Sequence, residues 1–345
     1  MVSTLLALLT YSVLPRYYPT FSTWSSLYNR SYLSATERDY RESVYTQNLA
    51  KIAKHNAHNH SWSMDVNQFA DLTSNEFAAQ YIRGGYVAPN ATTYRKRFYN
   101  WQLLYGNKTT LPTTVDWTTQ GAVTPVKDQG PPSHWLGGNP LIHSIKGQCG
   151  SCWAFSATGS MESTWFLKNG SLVSLSEQQL VDCSVPQGNQ GCDGGLMDDA
   201  FQYVISNKGI TSESAYPYTA TGPNACQATG KPVAAMVTGY KDVPSGSELA
   251  LMTALTEQPV SVAVEADQNV FQFYSGGVLT ASCGSNLDHG VLAVGYGTQG
   301  GQDYYKVKNS WGTSWGEKGY ILLGRGSQYG ANGQCGIQMD PSYTF

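Results

Sequence analysis

GQCGSCWAF, residues 147–155, decides how this chain is to be read. Cys152 stands where a helix should begin. Trp153, Ala154, Ala157, Met161, Trp165 and Phe166 form a broad apolar face over 151–168, and Gly170 supplies the stop. A cysteine attacks a carbonyl only as thiolate, and an ordinary thiol is too weak an acid to supply much of it. The unpaired N–H groups and the macrodipole of a helix start favour the anion. Cys152 is therefore the candidate nucleophile.

Upstream, Pro125-Val126-Lys127-Asp128-Gln129-Gly130 reads as the approach to the same site, yet residues 130–146 intervene. This insertion (equally 131–147, since glycine flanks both ends) contains three prolines and three glycines, the composition of a loop. Lengthening a flexible loop costs only about 0.6 kcal/mol per doubling, so the fold should tolerate it. The other reading is an unspliced intron translated in frame.

A thiolate needs a base that becomes a cation. Residues 111–345 contain three histidines, His134, His143 and His289, and the first two belong to the insertion. His289 follows Asp288 and opens an apolar strand. The imidazole in turn needs its second nitrogen fixed, and Asn309, in Lys308-Asn309-Ser310-Trp311-Gly312, can accept that proton while Trp311 shields the bond. Each residue alone has a plainer reading: a buried cysteine, a core histidine, a turn. Together they make a constellation.

The whole chain agrees with a secreted protein. It has 345 residues, a net charge of −3 and seven cysteines, all in the C-terminal two-thirds. Met1–Leu14 is apolar and of signal-peptide length, and five Asn-x-Ser/Thr sequons begin at Asn29, Asn59, Asn90, Asn107 and Asn169. An odd cysteine count suggests three bridges and one spare thiol. No Cys-x-x-Cys pair has a partner at zinc spacing, no apolar run reaches membrane-spanning length, and no basic stripe with aromatics marks the body for nucleic acid.

Charge divides the chain. Residues 1–110 carry 11 Lys/Arg against 6 Asp/Glu; residues 111–345 carry 10 against 18. A basic, cysteine-free leading segment precedes an acidic body, which suggests a removable segment docked by charge and loosened by acid, with His55, His58 and His60 contributing. In that segment Glu37, Arg41, Val44, Tyr45, Asn48, Ile52 and Asn56 share one helical face, with Ser34 and Glu37 as a capping box and an end near Asn56. Residues 84–110, including Arg95-Lys96-Arg97, read as exposed linker. In the body, 176–183 and 196–206 are helical patterns, and 260–264, 290–296, 304–308 and 320–323 read as strands. A helical half thus precedes a β half.

Gly147–Phe155, Gly191-Cys192-Asp193-Gly194-Gly195, Leu287-Asp288-His289-Gly290-Val291 and Asn309-Ser310-Trp311-Gly312 together resemble papain-family cysteine proteases of the cathepsin L-like branch, in proenzyme form, over about residues 20–345. The 37–56 face is similar to the family's first propeptide motif, with Tyr45 where Phe is commoner. Asn67-Gln68-Phe69-Ala70-Asp71 resembles the second, with Asp65 where Gly is usual.

The resemblance implies an α+β fold with a helical lobe and a β-barrel lobe facing across a cleft, preceded by a helical inhibitory propeptide. Its divisions would be a signal peptide at 1–15, the propeptide at 16–110 and the peptidase at 111–345. It implies a cysteine endopeptidase in which Cys152 forms an acyl-enzyme, His289 donates and accepts the proton, Asn309 orients the ring, and Gln129 donates to the oxyanion. Gly194, Gly195, Leu196, Met197, Asp288, Trp311 and Asp340 would bind substrate, with Asp340 on a pocket floor suited to Arg as well as apolar side chains. Bridges 149–192, 183–226 and 283–335 would leave Cys152 free. No cofactor or metal is implied. The implied partners are protein and peptide substrates, the chain's own propeptide and cystatin-type inhibitors, for a monomer bound for a lysosome, a vacuole or the exterior. In relatives the glutamine runs straight into the cysteine motif, and here Lys146 occupies its place six before Cys152. The displaced Gln129 motivates an alternative, a catalytically impaired binding protein. A disulfide-stapled scaffold without chemistry is a further one.

Overall fold

The computed structural model describes residues 17–82, 84–87, 110–130 and 149–345. The expected signal peptide, Arg95-Lys96-Arg97, the sequons at Asn90 and Asn107, Lys146 and the histidines His134 and His143 lie outside the described residues.

The leading segment begins with α1 (Phe21–Leu27) and α2 (Ala35–Asn56). Ser34 caps α2 by accepting from the Glu37 N–H, but Glu37 reaches back to the N–H of Leu33 rather than of Ser34, so the expected capping box closes one residue early. Phe21 and Trp24 pack on Tyr45 as a small aromatic core. The chain then forms strand β1 (Trp62–Met64), α3 (Ser74–Phe77) with a complete Thr73/Glu76 capping box, and one wide helical turn over Ala78–Ile82.

The body opens with β2 (Val115–Asp116) and continues as α4 (Cys152–Asn169), α5 (Glu177–Cys183) and α6 (Met197–Asn207). Gly170, in the left-handed region at φ 71°, ends α4. The second half contains β3 (Tyr240–Asp242), α7 (Glu248–Leu255), β4 (Val260–Val264), α8 (Asn269–Gln272), β5 (Tyr274–Leu279), β6 (His289–Gln299), β7 (Gln302–Lys308), β8 (Tyr320–Gly324) and β9 (Ser342–Thr344). The sheet order is β1-β5-β8-β7-β6-β4-β9-β3, with β2 on β6.

Two cores result. One lies among α4, α5 and α6, around Trp153, Met161, Leu180 and Phe201. The other lies beneath the sheet and is shared: Ile52, Trp62, Phe69, Phe77 and Tyr81 of the leading segment join Phe271, Tyr274, Trp311 and Trp315 of the body. The lobes meet along α4 and β6. There Gly159 lies so close to Leu292 that a Cβ would fall 2.8 Å from its Cδ2, and Ser156 Oγ donates to Val291 O at 2.7 Å. Lys127 ties the seam, donating to Glu162 (2.8 Å) and Glu177 (2.6 Å), both fully buried, while Lys308 from β7 reaches Thr124 at 2.9 Å.

The charge difference suggests electrostatic docking; among the described residues the contacts are of another kind. β1 pairs antiparallel with β5, Trp62 opposite Gly277 and Met64 opposite Tyr274. Phe69 and Phe77 set their edges against Trp311 at 5.6 and 5.4 Å. Asn67 Nδ2 donates to Gln272 O, and Gln68 Nε2 to Trp311 O, each at 2.7 Å. Strand pairing and apolar burial hold the segment, and both are far less sensitive to salt than surface charge.

Candidate active site

Cys152 is the first residue of α4 and is fully buried. Of the cysteines it alone is unbonded among the described residues, since the structure joins Cys149 to Cys192, Cys183 to Cys226 and Cys283 to Cys335. Its sulfur accepts the N–H of Gly290 at 3.2 Å, a contact across the seam that brings the start of β6 onto the start of α4. The residue before Gly290 is His289, also fully buried.

His289 Nε2 lies 2.8 Å from Asn309 Oδ1, and the Trp311 ring stacks on the imidazole at 4.7 Å. An amide oxygen only accepts, so Nε2 carries the hydrogen. Nδ1 is then the basic nitrogen, and it has no hydrogen-bond partner among the described residues. Ser310 N–H also donates to Asn309 Oδ1, at 2.7 Å, which fixes the amide.

Gln129 reaches this corner despite the insertion. Its N–H donates to Ser310 O at 2.8 Å, and Ser310 Oγ donates to its Oε1 at 2.7 Å. The acceptor end of the amide is thereby taken, and its Nε2 is the donor end.

Residues 84–110 read as exposed linker in the sequence; the structure corrects this for Gly85 and Tyr86, while Gly84 and Val87 on either side are exposed. Gly85 and Tyr86 are buried in the cleft over the sulfur. A Cβ on Gly85 would fall 2.7 Å from Cys152 Sγ and 3.4 Å from Asp288 O. Tyr86 bridges to Gly195 in the parallel sense, and Val87 N–H donates to Gly195 O at 3.2 Å. A Cβ on Gly194 would fall 2.5 Å from Gly84 O, so glycine there admits the backbone. The Tyr86 hydroxyl donates to Asp340. Met197 is buried, its sulfur beside Gly290, and Leu196 N–H is held by Asn189 Oδ1 at 2.7 Å. Asp288 Oδ1 accepts from Ala266 N–H at 2.8 Å. The structure thus brings Cys152, His289, Asn309, Trp311 and Gln129 to one corner and lays residues 84–87 against Gly194, Gly195 and Asp340. Gly85 and Tyr86 went unrecognised because a glycine pair followed by an aromatic reads equally as linker.

The cover changes the electrostatics. A helix start favours the thiolate, but burial pushes the Cys152 thiol up to about 12, against the pull of the Gly290 N–H. Burial likewise holds the His289 imidazole down to about 4, though its bond to Asn309 favours the charged ring. Under residues 84–87 both groups are neutral. The arrangement is a thiol, an oriented imidazole and amide donors, a set suited to acyl transfer once water and substrate enter.

The sequence model described as papain family cysteine protease matches residues 111–345, and that of the cathepsin propeptide inhibitor domain (I29) matches residues 21–77. The senescence-specific cysteine protease SAG39 of Oryza sativa subsp. japonica is 46% identical over 93% of this chain and 88% of its own length. A cathepsin L-like peptidase of Aedes aegypti is 45% identical over 92% of this chain and 90% of its own. The structure of digestive procathepsin L2 proteinase from Tenebrio molitor larval midgut superposes with a TM-score of 0.81 at 37% identity, covering 94% of this chain and 98% of that one. A disulfide-bonded cathepsin-like proenzyme is a protein of the secretory pathway, and no helix among the described residues is long and apolar enough to cross a membrane. A cleft covered by its own leading segment is what a zymogen requires, and with these matches the chain belongs to the papain family of cysteine proteases, as a cysteine-type endopeptidase carrying its propeptide.

Proposed function

We propose that Cys152 is the nucleophile of this protease, His289 its proton carrier, Asn309 the residue that orients the ring, and Gln129 the side-chain donor to the oxyanion. The observation that carries this assignment is the one unbonded thiol, in contact with Gly290 N–H beside an imidazole held by Asn309. Released from residues 84–87, the imidazole takes the thiol proton, the sulfur attacks the peptide carbonyl, and the leaving amine collects the proton from His289. Water then cleaves the acyl-enzyme by the reverse exchange. Residues 16–110 are the removable propeptide, 111–345 the peptidase, and 130–146 an insertion.

Substrate would lie along Gly194 and Gly195, with Leu196, Met197, Asp288 and Trp311 lining the cleft. Asp340 forms the floor of the pocket for the residue second before the cut and selects Arg as well as apolar side chains. The Tyr86 hydroxyl, a donor seated on Asp340, supports that reading. The enzyme acts as a monomer in a lysosome, a vacuole or the extracellular space, and cystatin-type inhibitors are its partners. Iodoacetamide labelling tests the assignment: acid-processed enzyme should incorporate one label, at Cys152, and lose all turnover. Labelling elsewhere, or full activity in Cys152→Ala, would refute it.

The impaired-enzyme alternative rests on the displaced Gln129, and its two bonds to Ser310, next to Asn309, favour an active site instead. Deleting 130–146 decides between them. Turnover of a dipeptidyl substrate should stay the same, whereas a large gain would establish that the insertion impairs the enzyme.

A further inference from the structure

In relatives of the resembled family the oxyanion glutamine is joined to the cysteine motif by the chain itself. Here 18 residues, 131–148, separate Gly130 from Cys149, so Gln129 must be held by contacts. One set comes from Ser310, on the side of His289. The other comes from Tyr218.

The Tyr218 hydroxyl lies 3.2 Å from Gln129 O and 2.6 Å from Ser151 Oγ. It bridges Gln129, upstream of the insertion, and Ser151, the N-cap of α4. A phenol has one hydrogen and a carbonyl none, so the direction is fixed: Tyr218 donates to Gln129 O, and Ser151 donates to Tyr218. Ser151 occupies the N-cap of α4, where serine ordinarily accepts from the first turn, yet its side chain makes no capping bond. The hydroxyl is committed to the bridge instead. The Tyr218 ring is set edge-on against Phe155, one turn along α4 from Ser151, at 4.9 Å, and Glu213 Oε1 accepts its N–H at 2.8 Å.

We infer that Tyr218 is a positioning residue for the oxyanion site: its hydroxyl does the work that the short covalent connection does in relatives, holding Gln129 in register with Cys152 across the insertion. The inference rests on the proposed role of Gln129. Without the bridge Gln129 remains tethered only on the His289 side, by Ser310 and by the pairing of Asp128 with Trp311, and the donor loses its fixed distance to the sulfur, which matters because such donors act through pre-set geometry.

The test is a double-mutant cycle on acid-processed enzyme. Tyr218→Phe should lower kcat about five- to tenfold, the worth of one hydrogen bond, with KM within twofold. Gln129→Ala should lower kcat about 10²-fold or more, and Tyr218→Phe added to it should cost less than about twofold. Iodoacetamide labels Cys152 without forming an oxyanion, so its rate should stay within about twofold in Tyr218→Phe. Equal losses from Tyr218→Phe in both backgrounds, an unchanged kcat, or a labelling rate that falls with kcat would overturn the inference. Hydrogen exchange at the Gln129 amide gives a reading independent of turnover and should speed up in Tyr218→Phe; unchanged protection also refutes the bridge. Wild-type enzyme that labels but never turns over would instead refute the proposed function.

Discussion

Gly85→Ala places a methyl where the zymogen has no room. The new Cβ would lie 2.7 Å from Cys152 Sγ and 3.0 Å from Ile82 O. The sulfur is fully buried and held by the Gly290 N–H, so it cannot swing aside freely. Overpacking of this kind costs about 1–3 kcal/mol. Alanine also reduces the freedom of the released segment, which returns about 0.4–1 kcal/mol. At the midpoints of these ranges the steric effect wins, leaving a net loosening of about 1.3 kcal/mol, or about ninefold in the opening equilibrium. Because the thiol is closed off in the zymogen, the rate of iodoacetamide labelling at neutral pH reads that equilibrium directly. It should rise by this factor in Gly85→Ala and hardly change in Val87→Ala, whose side chain is exposed. A Gly85→Ala zymogen that labels at the wild-type rate would show that the segment does not sit on the sulfur.

At His289 acid favours the open form: the ring is neutral in the closed form until about pH 4 and returns toward 6.5 on opening, so the opened form takes up a proton as pH falls between those values. At pH 5 this favours opening by about 30-fold over pH 7.5. Asp288, pushed up to about 7 by burial, pulls the other way, because the closed form keeps its proton; a return to its ordinary value on opening offsets the gain from His289 over the same range, so wild-type labelling should not rise with acid, whereas Asp288→Asn should make it rise, and a flat profile in that variant would contradict the sign. Lys127→Ala should cost about 3–5 kcal/mol by denaturant unfolding, since Glu162 and Glu177 would lose their direct ion pairs and be left buried together with only the more distant Lys308 nearby; a loss below about 1 kcal/mol would refute the weight given to these pairs. In processed enzyme, Asp340→Ala should reduce kcat/KM for substrates with Arg second before the cut by at least about tenfold, leaving Leu substrates within about twofold; equal losses on both would remove Asp340 from the pocket.

Much of this architecture was readable in the residues. α2 and α4 are long and periodic, and β4, β6, β7 and β8 are apolar runs bounded by turns. Other elements were not readable. β5 carries Gly276 and Gly277 in its interior, where glycine argues against a strand; a Cβ on Gly277 would fall 2.3 Å from Ser61 O, so the glycine is there to admit β1. β1 and β9, three residues each, are too short for a period to register. At the site, a process of elimination among histidines leads to His289, and residue chemistry to Asn309. The sequence offers no sign that Tyr218 spans the gap or that Gly85 lies on Cys152, because those contacts join residues 89 and 67 positions apart. Periodicity reports which face of an element is buried, and such distant pairings leave no mark on it.

Processing removes the neighbour of β5. The mature enzyme then carries a bare strand margin beside the aromatic hollow around Trp311 and Trp315 that Phe69 and Phe77 had filled. Open margins of this sort recruit other chains. From maturation onward the enzyme is thus more open to edge-to-edge association than its zymogen, and dilution is what protects it.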